Sequence, residues 1–362
     1  MNANSLSTSR AATSAFASES PPNPTNNANR RLQMVDIARL AGVSTGTVSR
    51  ALSGSELVKP QTRQRIAELA RSLGYSINVG AQNLRLGENN TVGVVIPYDA
   101  KTKQHISDPF FLAILGSIAD ALTDAGYDML LSRVDSERLD SLAGLHNTGR
   151  AKGLIVIGQW GHHDQLNELA LRRVPIAVWG AQLAQQLYCT VGSDNLAGGY
   201  LATEHLLALG RKHIAFFGDI ALPEVALRYE GYVRAHTERG KQPDARLLLR
   251  MPFAAEGARV AITDFCVPPV ACDAVFAASD LLAMTAISLM LSRGIKVPQD
   301  VAMVGYDDVD AASHFHPALS TIRQPIAIAG QVLVDSLMGL VRGEQVASRV
   351  LPTELVVRES SQ

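Results

Sequence analysis

The chain has 362 residues, of which 47% are hydrophobic and 19% charged, and its formal net charge at neutral pH is −1. This length is too great for one hydrophobic core, so we expect a small module together with one or two larger domains. No uninterrupted apolar run approaches the roughly 18 residues that a membrane-spanning helix needs, which argues against an integral membrane protein. The three cysteines include no CxxC pair and fit neither a secreted disulfide framework nor a zinc site, so we expect a reducing cytoplasm.

The first 31 residues are rich in Ser, Thr, Asn, Ala and Pro. An Ala-Phe-Ala sequence at residues 15–17 is similar to a signal-cleavage site, yet no apolar segment precedes it, so no secretory signal is predicted. A segment of this composition buries too little apolar surface to fold. We therefore predict a disordered tail over residues 1–31.

The small net charge conceals an asymmetry along the chain. Residues 30–86 contain nine Lys and Arg against three Asp and Glu, a net charge of +6, whereas residues 87–362 carry −7. A basic segment ahead of an acidic body suits a polyanionic partner such as nucleic acid.

The stretch VDIARLAGVSTGTVSRAL, residues 35–52, contains two short amphipathic runs around a Gly-Val-Ser turn. Gly42 supplies the sharp turn, and the Ser44 hydroxyl can cap the second run. Val48 and Leu52, four residues apart, direct that second helix back against the first. The predicted apolar face of the first helix is formed by Met34, Ile37, Ala38, Leu40 and Ala41. Such a pair is a helix-turn-helix.

A third run, PQTRQRIAELARSLGY, predicts a helix that begins at Pro60 and ends at Gly74. Its apolar face is formed by Ile66, Leu69, Ala70 and Leu73. The outward side chains of the second helix are small, polar or basic, which are the types that fit a DNA major groove: Thr45, Gly46, Thr47, Ser49 and Arg50. The alternative is three solvated surface helices, but the Gly-Val-Ser turn together with TVSR favours a DNA reader.

These residues carry a family resemblance. DIARLAGVSTGTVSRAL followed by TRQRIAELARSLGY resembles the N-terminal head of the lactose-repressor (LacI/GalR) family of bacterial transcription regulators, and the similarity continues to the end of the chain. It implies a DNA-binding head over residues 32–76, with Thr45 and Gly46 at the variable base-reading positions. Backbone and neighbouring-base contacts are implied for Ser44, Thr47, Ser49 and Arg50. Because Gly46 has no side chain, specificity must rest more on Thr45, Arg50 and a minor-groove element.

The head departs from the family pattern at its start, where Gln33 replaces the usual capping Thr, so we expect the first helix to fray more. Residues 77–90 alone could be a plain linker, since Gly, Asn and Glu are common there. The resemblance instead implies a hinge helix that folds on operator DNA, pairs with its twin in the dimer and inserts Leu84 into the minor groove. The family's usual Pro and Arg are here Ile77 and Gln82, which weakens the expected hinge ordering.

From residue 91 onward, short apolar β-rich runs alternate with helical segments, and the pattern recurs in both halves of the body. This alternation predicts parallel sheets wrapped by helices, with ligands bound outside the carboxyl ends of the strands. The arrangement resembles the two-lobed periplasmic sugar-binding fold, in which the chain crosses between lobes three times. We expect an effector-binding and dimerisation domain over 91–362, with residues 91–190 and 324–340 in the first lobe and residues 191–320 and the C-terminal segment in the second.

Five residues are predicted to bind the effector in the cleft between the lobes. Phe110 and Phe111 in DPFF can stack on a sugar ring, although core packing explains such a pair about as well. The resemblance implies an effector role for Arg228, whose planar fork can bind vicinal hydroxyls or a carboxylate. It likewise implies that Asp280 accepts two sugar hydroxyls and that Phe253 forms part of the second lobe's cleft wall.

Weaker candidates lie at other strand ends. After PIAVW the family often places an Asp that contacts sugar, and this chain has Gly180 instead. Trp179 could be a stacking platform or a core residue, and Gln159 and Tyr306 end strands nearby.

No catalytic constellation is present: the sequence lacks GxSxG, HExxH, a P-loop and a strand-linked GxGxxG. His162 and His163 lack a third ligand at supporting spacing, so neither a metal nor a cofactor is expected. Tyr-Asp-Asp at residues 306–308 is structural in the family, and adjacent strand residues point to opposite faces. An enzyme on this scaffold is therefore disfavoured, and the basic head argues against a sugar-binding transport receptor.

The sequence favours a cytoplasmic, nucleoid-associated bacterial repressor of carbohydrate genes whose operator binding is controlled by a small effector. A sugar is the favoured effector, while a nucleoside, a purine or a sugar acid stays open, as does the sign of the response. The chain ends in LPTELVVRESSQ without the leucine heptads of a coiled-coil tetramer, so we expect a homodimer on a near-palindromic operator.

Overall fold

The fold comes from a computed structural model that describes residues 32–73, 75, 89–98, 104–253, 255–266 and 271–362. The predicted tail, most of the predicted hinge with Leu84, and the predicted helix end at Gly74 lie outside the described residues. The chain divides into two compact units between Gln82 and Asn83, and each unit has its own hydrophobic core.

The first unit contains helices α1 (Met34–Ala41), α2 (Thr45–Leu52) and α3 (Pro60–Ser72). Leu40, which was predicted on the buried face of α1, is 58% exposed. The prediction was wrong because Leu40 lies at the margin of the apolar face of α1, and only the residues at the centre of that face reach the core. The buried core consists of Ile37, Ala38, Ala41, Val48, Ala51, Val58 and Ile66.

Local hydrogen bonds define the ends of the first two helices. Gly42 adopts the left-handed conformation (φ 66°) that ends α1. Ser44 Oγ accepts a hydrogen bond of 3.1 Å from the backbone N–H of Thr47 and so caps α2. At the start of α1, the Asp36 carboxylate accepts a 3.0 Å bond from the backbone N–H of Gln33, which satisfies a terminal N–H without a capping Thr.

The second unit is built on two six-stranded sheets. The first sheet has the order β11-β5-β4-β3-β1-β2 and is parallel throughout. The second has the order β12-β10-β9-β8-β6-β7, with β12 antiparallel to β10. The strands are β1 Thr91–Tyr98, β2 Asp128–Asp135, β3 Leu154–Ile157, β4 Ile176–Trp179, β5 Cys189–Ser193, β6 Ile214–Phe217, β7 Leu248–Leu249, β8 Ala274–Ala277, β9 Ala302–Asp307, β10 Ser320–Arg323, β11 Arg349–Leu351 and β12 Glu354–Val356.

Helices cover both faces of the first sheet, which explains why its inner strands read as continuous apolar runs. All four residues of β3 are buried; Ile155 and Ile157 share a core with α4 and α12, and Leu154 and Val156 share another with α6. The α-helices of this unit are α4 Pro109–Asp124, α5 Ala143–Asn147, α6 His163–Leu171, α7 Asn195–Ala208, α8 Pro223–Glu238, α9 Ala255–Phe265, α10 Asp280–Ser292, α11 Asp310–His314 and α12 Ile326–Val341.

The chain passes between the two sheets three times: after β5, after β10, and between β11 and β12. The first sheet extends slightly beyond the predicted lobe boundaries, because β5 continues to Ser193 and the edge strand β11 lies C-terminal to residue 340. A three-residue edge strand has no periodicity that a sequence pattern could reveal. None of the described helices has both the length and the apolar character required to cross a bilayer.

Candidate functional site

The outward surface of α2 is the candidate DNA-contacting surface of the first unit. Thr45 and Arg50 are exposed, whereas Val48 and Ala51 on the opposite side are buried. Gly46, Thr47 and Ser49 are half-buried beside them. Within the part of the chain that the structure describes, the Arg50 guanidinium makes no hydrogen bond or ion pair, so its donors are available to a phosphate or a base edge.

A second candidate site is a cavity of about 650 Å³, including its open mouth, between the two lobes of the second unit. Its walls come from residues at the carboxyl ends of the parallel strands and at the starts of the following helices, as expected for this sheet type. The lining residues are Gln104, Asp108, Phe110, Phe111, Ile157, Gly158, Trp160, Trp179, Leu222, Glu224, Val225, Arg228, Phe253, Ser279, Asp307 and Gln324.

Aromatic rings form much of the cavity wall. Phe110 is tilted against Phe111 and Trp179, with ring centroids 5.8 and 6.5 Å apart. Phe111 and Trp179 also belong to the first lobe's core, so each is a core residue that lines the cavity as well. Phe253 contributes from the second lobe. Trp160, which the sequence reasoning missed, directly follows the turn after β3 with a left-handed backbone (φ 48°), a conformation that a bulky residue rarely adopts.

Arg228 is the one cationic side chain among the described residues that line the cavity, and its position is fixed from several directions. Its Nε donates to Asn195 Oδ1 at 2.8 Å and its Nη1 donates to the Ala278 carbonyl at 2.5 Å. The guanidinium carbon lies 3.7 Å from the ring centroid of Tyr306. Helices α7 and α8 approach so closely that a Cβ at Gly199 would lie 2.0 Å from the Arg228 carbonyl oxygen. The two hydrogen bonds leave further guanidinium donors for a ligand.

Asp280 is not among the described residues that line the cavity, and its contact with the effector stays a prediction. Its side chain is fully buried; one carboxylate oxygen accepts from the backbone N–H of Val309 at 2.9 Å and the other from the Thr321 hydroxyl at 2.6 Å. Burial raises the pKa of Asp280 to about 7. The neighbouring Ser279, which caps α10, faces the cavity instead.

Asp307, at the end of β9, is the cavity carboxylate on this side. Its Oδ1 accepts a 2.7 Å bond from Gln324 Nε2, and its backbone has a positive φ of 121°. Burial raises the pKa of Asp307 well above its usual value, and the nearby Arg228 lowers it only in part. The next residue, Asp308, points away and pairs with Arg323 and Arg358. The two adjacent carboxylates therefore face different sides, and Asp307 lines the cavity in addition to its hydrogen bond with Gln324.

Two more carboxylates line the cavity and were missed. Glu224, half-buried in the first turn of α8, has a raised pKa because of burial, and Arg228 and a backbone hydrogen bond from Gln159 oppose that shift. Asp108 caps α4 by accepting from the backbone N–H of Phe110 at 3.0 Å, and burial raises its pKa as well. A turn-forming Asp and a first-turn Glu are so common that neither residue type indicated a ligand.

Gly180 stands where the family often has an Asp, and the structure gives a steric reason for the glycine. Gln159 is fully buried; its Nε2 donates to the Ala181 carbonyl at 2.7 Å and to the Tyr188 hydroxyl at 2.9 Å. A Cβ at Gly180 would lie 2.8 Å from this carboxamide. Gln159 therefore fills the space of the missing side chain and, like the buried Tyr306, supports the cavity from behind.

The described part of the chain holds no group of three or more His, Cys, Asp and Glu that could bind a metal ion. His163 Nδ1 is instead 2.9 Å from the Tyr188 hydroxyl.

Comparison with known proteins identifies the family. The description "Bacterial regulatory proteins, lacI family" matches residues 33–78, and "Periplasmic binding protein-like domain" matches residues 203–361. The HTH-type transcriptional regulator CelR of Thermobifida fusca is 32% identical over 345 residues, covering 91% of this chain and 98% of CelR. The chain belongs to the lacI family.

This LacI-family protein is also 31% identical to the HTH-type transcriptional repressor CytR of Escherichia coli K12, over 91% of this chain and 96% of CytR. Among solved structures, the CelR–cellobiose complex aligns with a TM-score of 0.66 at 31% identity, covering 91% of this chain and all of the other. The lac repressor dimer bound to operator and the anti-inducer ONPF aligns with a TM-score of 0.80 at 25% identity, covering 91% and 99%. The predicted family and fold class are confirmed, and the protein is a DNA-binding transcriptional regulator rather than an enzyme.

Proposed function

We propose that this regulator is a cytoplasmic repressor of carbohydrate uptake or breakdown genes, controlled by a sugar in the interlobe cavity. The observation that carries the proposal is the combination, in one chain, of a helix-turn-helix with an unpaired outward Arg50 and a cavity lined by aromatic rings and hydrogen-bonding groups. The similar CelR was solved with cellobiose, and the similar lac repressor was solved as a dimer on operator DNA. We extend both properties to this chain.

The proposed domains are a disordered tail (1–31), a DNA-binding head (32–76), a hinge helix and linker (77–90) and an effector-binding, dimerising body (91–362). The proposed DNA contacts are Ser44, Thr45, Gly46, Thr47, Ser49 and Arg50. Ser44 and Thr47 hydroxyls lie 2.9 Å apart, so each has a local partner and the capacity for one more bond to a phosphate. Arg50 carries the only formal charge in this set, and it is exposed.

The proposed effector contacts are Phe110, Phe111, Arg228, Phe253 and Asp280, and Asp307 is added because it lines the cavity. Asp307 is hydrogen-bonded to Gln324, and Gln324 Oε1 accepts a 2.6 Å bond from the Ser193 hydroxyl. Ser193 and Gln324 lie on two of the three segments that cross between the lobes. A ligand that binds Asp307 therefore contacts the chain where the lobes are joined, and it shifts their equilibrium by its differential affinity for the two arrangements.

Genome-wide mapping of DNA occupancy, with and without individual sugars in the growth medium, tests the repressor function. We expect occupancy of near-palindromic sites beside sugar-uptake or sugar-hydrolase genes, changed by one sugar, and an Arg50→Ala variant should lose these sites. An Arg342→Ala variant is the matched control, since Arg342 is an exposed residue of the body that pairs with Glu344. A protein that occupies no DNA under any condition would overturn the proposal.

The hinge is tested by a Leu84→Gly variant. Loss of the apolar wedge should weaken binding to the specific operator at least tenfold, because an inserted side chain lets the duplex bend onto more of the protein. Sugar binding by the body should be unchanged in the same variant. Unaltered operator affinity, measured by fluorescence anisotropy, would contradict the hinge assignment.

A further inference from the structure

The charged groups that face the cavity are unequally divided by sign. Among the described lining residues there are three carboxylates, Asp108, Glu224 and Asp307, and one guanidinium, Arg228. Burial raises the pKa of both Glu224 and Asp307, and the charge of Arg228 opposes that rise, so the single guanidinium is already shared by two carboxyl groups of the protein. The cavity is therefore electrostatically unsuited to a further anion, although it contains an arginine.

The N-terminus of α8 would otherwise be the natural anion site of this cavity. This 16-residue helix begins at Pro223, and the amino end of a helix attracts negative charge through its free N–H groups. Glu224 occupies that position itself, since it lies in the first turn of α8 and lines the cavity. The helix end therefore already lies beside a carboxyl group of the protein, and a ligand carboxylate or phosphate would have to lie against it.

The same carboxylates are good partners for hydroxyl groups. A carboxyl group has about four acceptor positions on its two oxygens when ionised and donates one O–H when protonated, so it pairs with hydroxyl groups in either state. Asp307 has one of these positions filled by Gln324, so both Asp307 and Glu224 retain capacity for ligand hydroxyls. The aromatic rings of Phe110 and Trp160 offer apolar surface beside them. Hydroxyl donors on an apolar ring framework match this wall in both respects.

We propose that Glu224 is a specificity-determining residue that restricts the cavity to uncharged polyhydroxy effectors and rejects carboxylated and phosphorylated ones. The proposal rests on the proposed function of the cavity as the effector site. It decides among the effector classes that the sequence left open, since it excludes sugar acids. Discrimination arises from repulsion of the wrong ligand as well as from hydrogen bonds to the right one.

The test compares sugars that share a ring and differ in one carboxylate. Isothermal titration calorimetry on the full-length protein would use D-glucose with D-glucuronate, D-galactose with D-galacturonate, and cellobiose as a further neutral probe. We expect at least one of the three neutral sugars to bind. A neutral monosaccharide that binds should do so at least tenfold more tightly than its own uronate, and cellobiose should bind at least tenfold more tightly than either uronate. The Glu224→Gln substitution should reduce the ratio of neutral-sugar affinity to uronate affinity at least fivefold.

Glu230→Gln is the matched control, because Glu230 lies on the same helix but is exposed. It should leave the ratio unchanged. Uronates that bind the wild-type protein as tightly as the neutral sugars would overturn the proposal, as would an unchanged ratio in a folded Glu224→Gln protein. The wild-type ratio remains a test if that variant does not fold. If no neutral sugar binds while operator occupancy persists, both this proposal and the sugar effector are overturned, and the DNA-binding function stands.

Discussion

Asp280 and Asp307 show how the positions of single side chains decide what each carboxylate can do. Both lie near the carboxyl edge of the second sheet, yet one is enclosed by a backbone N–H and a hydroxyl and the other faces the cavity. The raised pKa of Asp280 follows mainly from burial, and the hydrogen bonds from Thr321 and Val309 offset it only in part. A buried acid of this kind affects the stability of the protein.

The stability of the body should therefore depend on pH through Asp280. Its folded pKa of about 7 lies above its ordinary value of 3.8, so between these limits the native state holds a proton that the unfolded chain has released. The resulting stability is present at low pH and is lost as the pH rises through about 7. Between pH 5 and 7, the free energy of unfolding should fall more steeply in the wild type than in Asp280→Asn, by up to about 1.4 kcal/mol per pH unit.

Urea unfolding at pH 5, 6 and 7 measures these slopes. Asp124→Asn, at an exposed position near the end of α4, serves as the control and should keep the wild-type slope. Equal slopes for the wild type and Asp280→Asn would show that Asp280 does not titrate in this range.

Some of the individual residues that line the cavity were predicted from the sequence. Phe110 and Phe111 were predicted from their residue type and Arg228 from the family resemblance, and each lines the cavity. Trp160 and Asp307 were missed because their directions depend on positive backbone φ angles that no residue pattern announces. Glu224 and Gln324 were missed for a different reason: they reach the cavity only because segments distant in sequence converge there.

Among the secondary-structure elements, α2 has little intrinsic helical stability. It has eight residues, including Gly46, and its N-terminus depends on the Ser44 cap. Glycine disfavours a helix interior, and helices this short owe their stability to packing and caps. The recognition helix is thus stabilised mainly by Val48, Ala51 and this one local hydrogen bond.

Substitutions at Ser44 and Gly46 should have opposite effects on the stability of α2. Ser44→Ala should destabilise the head by about 1 kcal/mol through loss of the cap. Gly46→Ala should stabilise it by about 0.5–1 kcal/mol, because the added Cβ would meet only Ser44 Oγ, at 3.8 Å. Amide hydrogen exchange of the α2 residues in the full-length protein measures both changes. Shifts of the same sign in the two variants would contradict this account.

The helices and strands whose apolar residues recur at a regular spacing were the most predictable. The buried faces of α1 and α3 and the apolar runs of the inner strands could be found from sequence, apart from Leu40 at the margin of a short helix. The three-residue strands β11 and β12 could not, because their existence depends on pairing with β5 and β10 rather than on their own residues.

For the whole molecule, the separation of charge between the head and the rest of the chain is a property that composition alone predicts. A head of net charge +6 should bind duplex DNA with an affinity that falls steeply with salt, since each neutralised phosphate releases counterions. The logarithm of the affinity for non-specific DNA should fall linearly with the logarithm of salt concentration. Arg50→Ala should reduce that slope by about 1.

Fluorescence anisotropy with a non-operator duplex between 50 and 200 mM salt, a range of roughly fourfold, would give the slopes. The Arg342→Ala body variant should retain the wild-type slope, because its guanidinium is paired with Glu344. A slope that Arg50→Ala leaves unchanged would place Arg50 away from the phosphates.

The three crossings between the sheets have a consequence for the order in which the protein folds as it is synthesised. The contacts within the core of α1 to α3 join residues that are near in sequence, and all three helices are complete once residue 72 has been made. The first sheet gains its last strand only with Leu351, and the second gains its last with Val356. Because contacts between distant segments form slowly and domains fold as units during synthesis, the DNA-reading helices can be native long before the sensor is. A nascent chain therefore passes through a stage in which it can engage DNA and cannot yet respond to an effector.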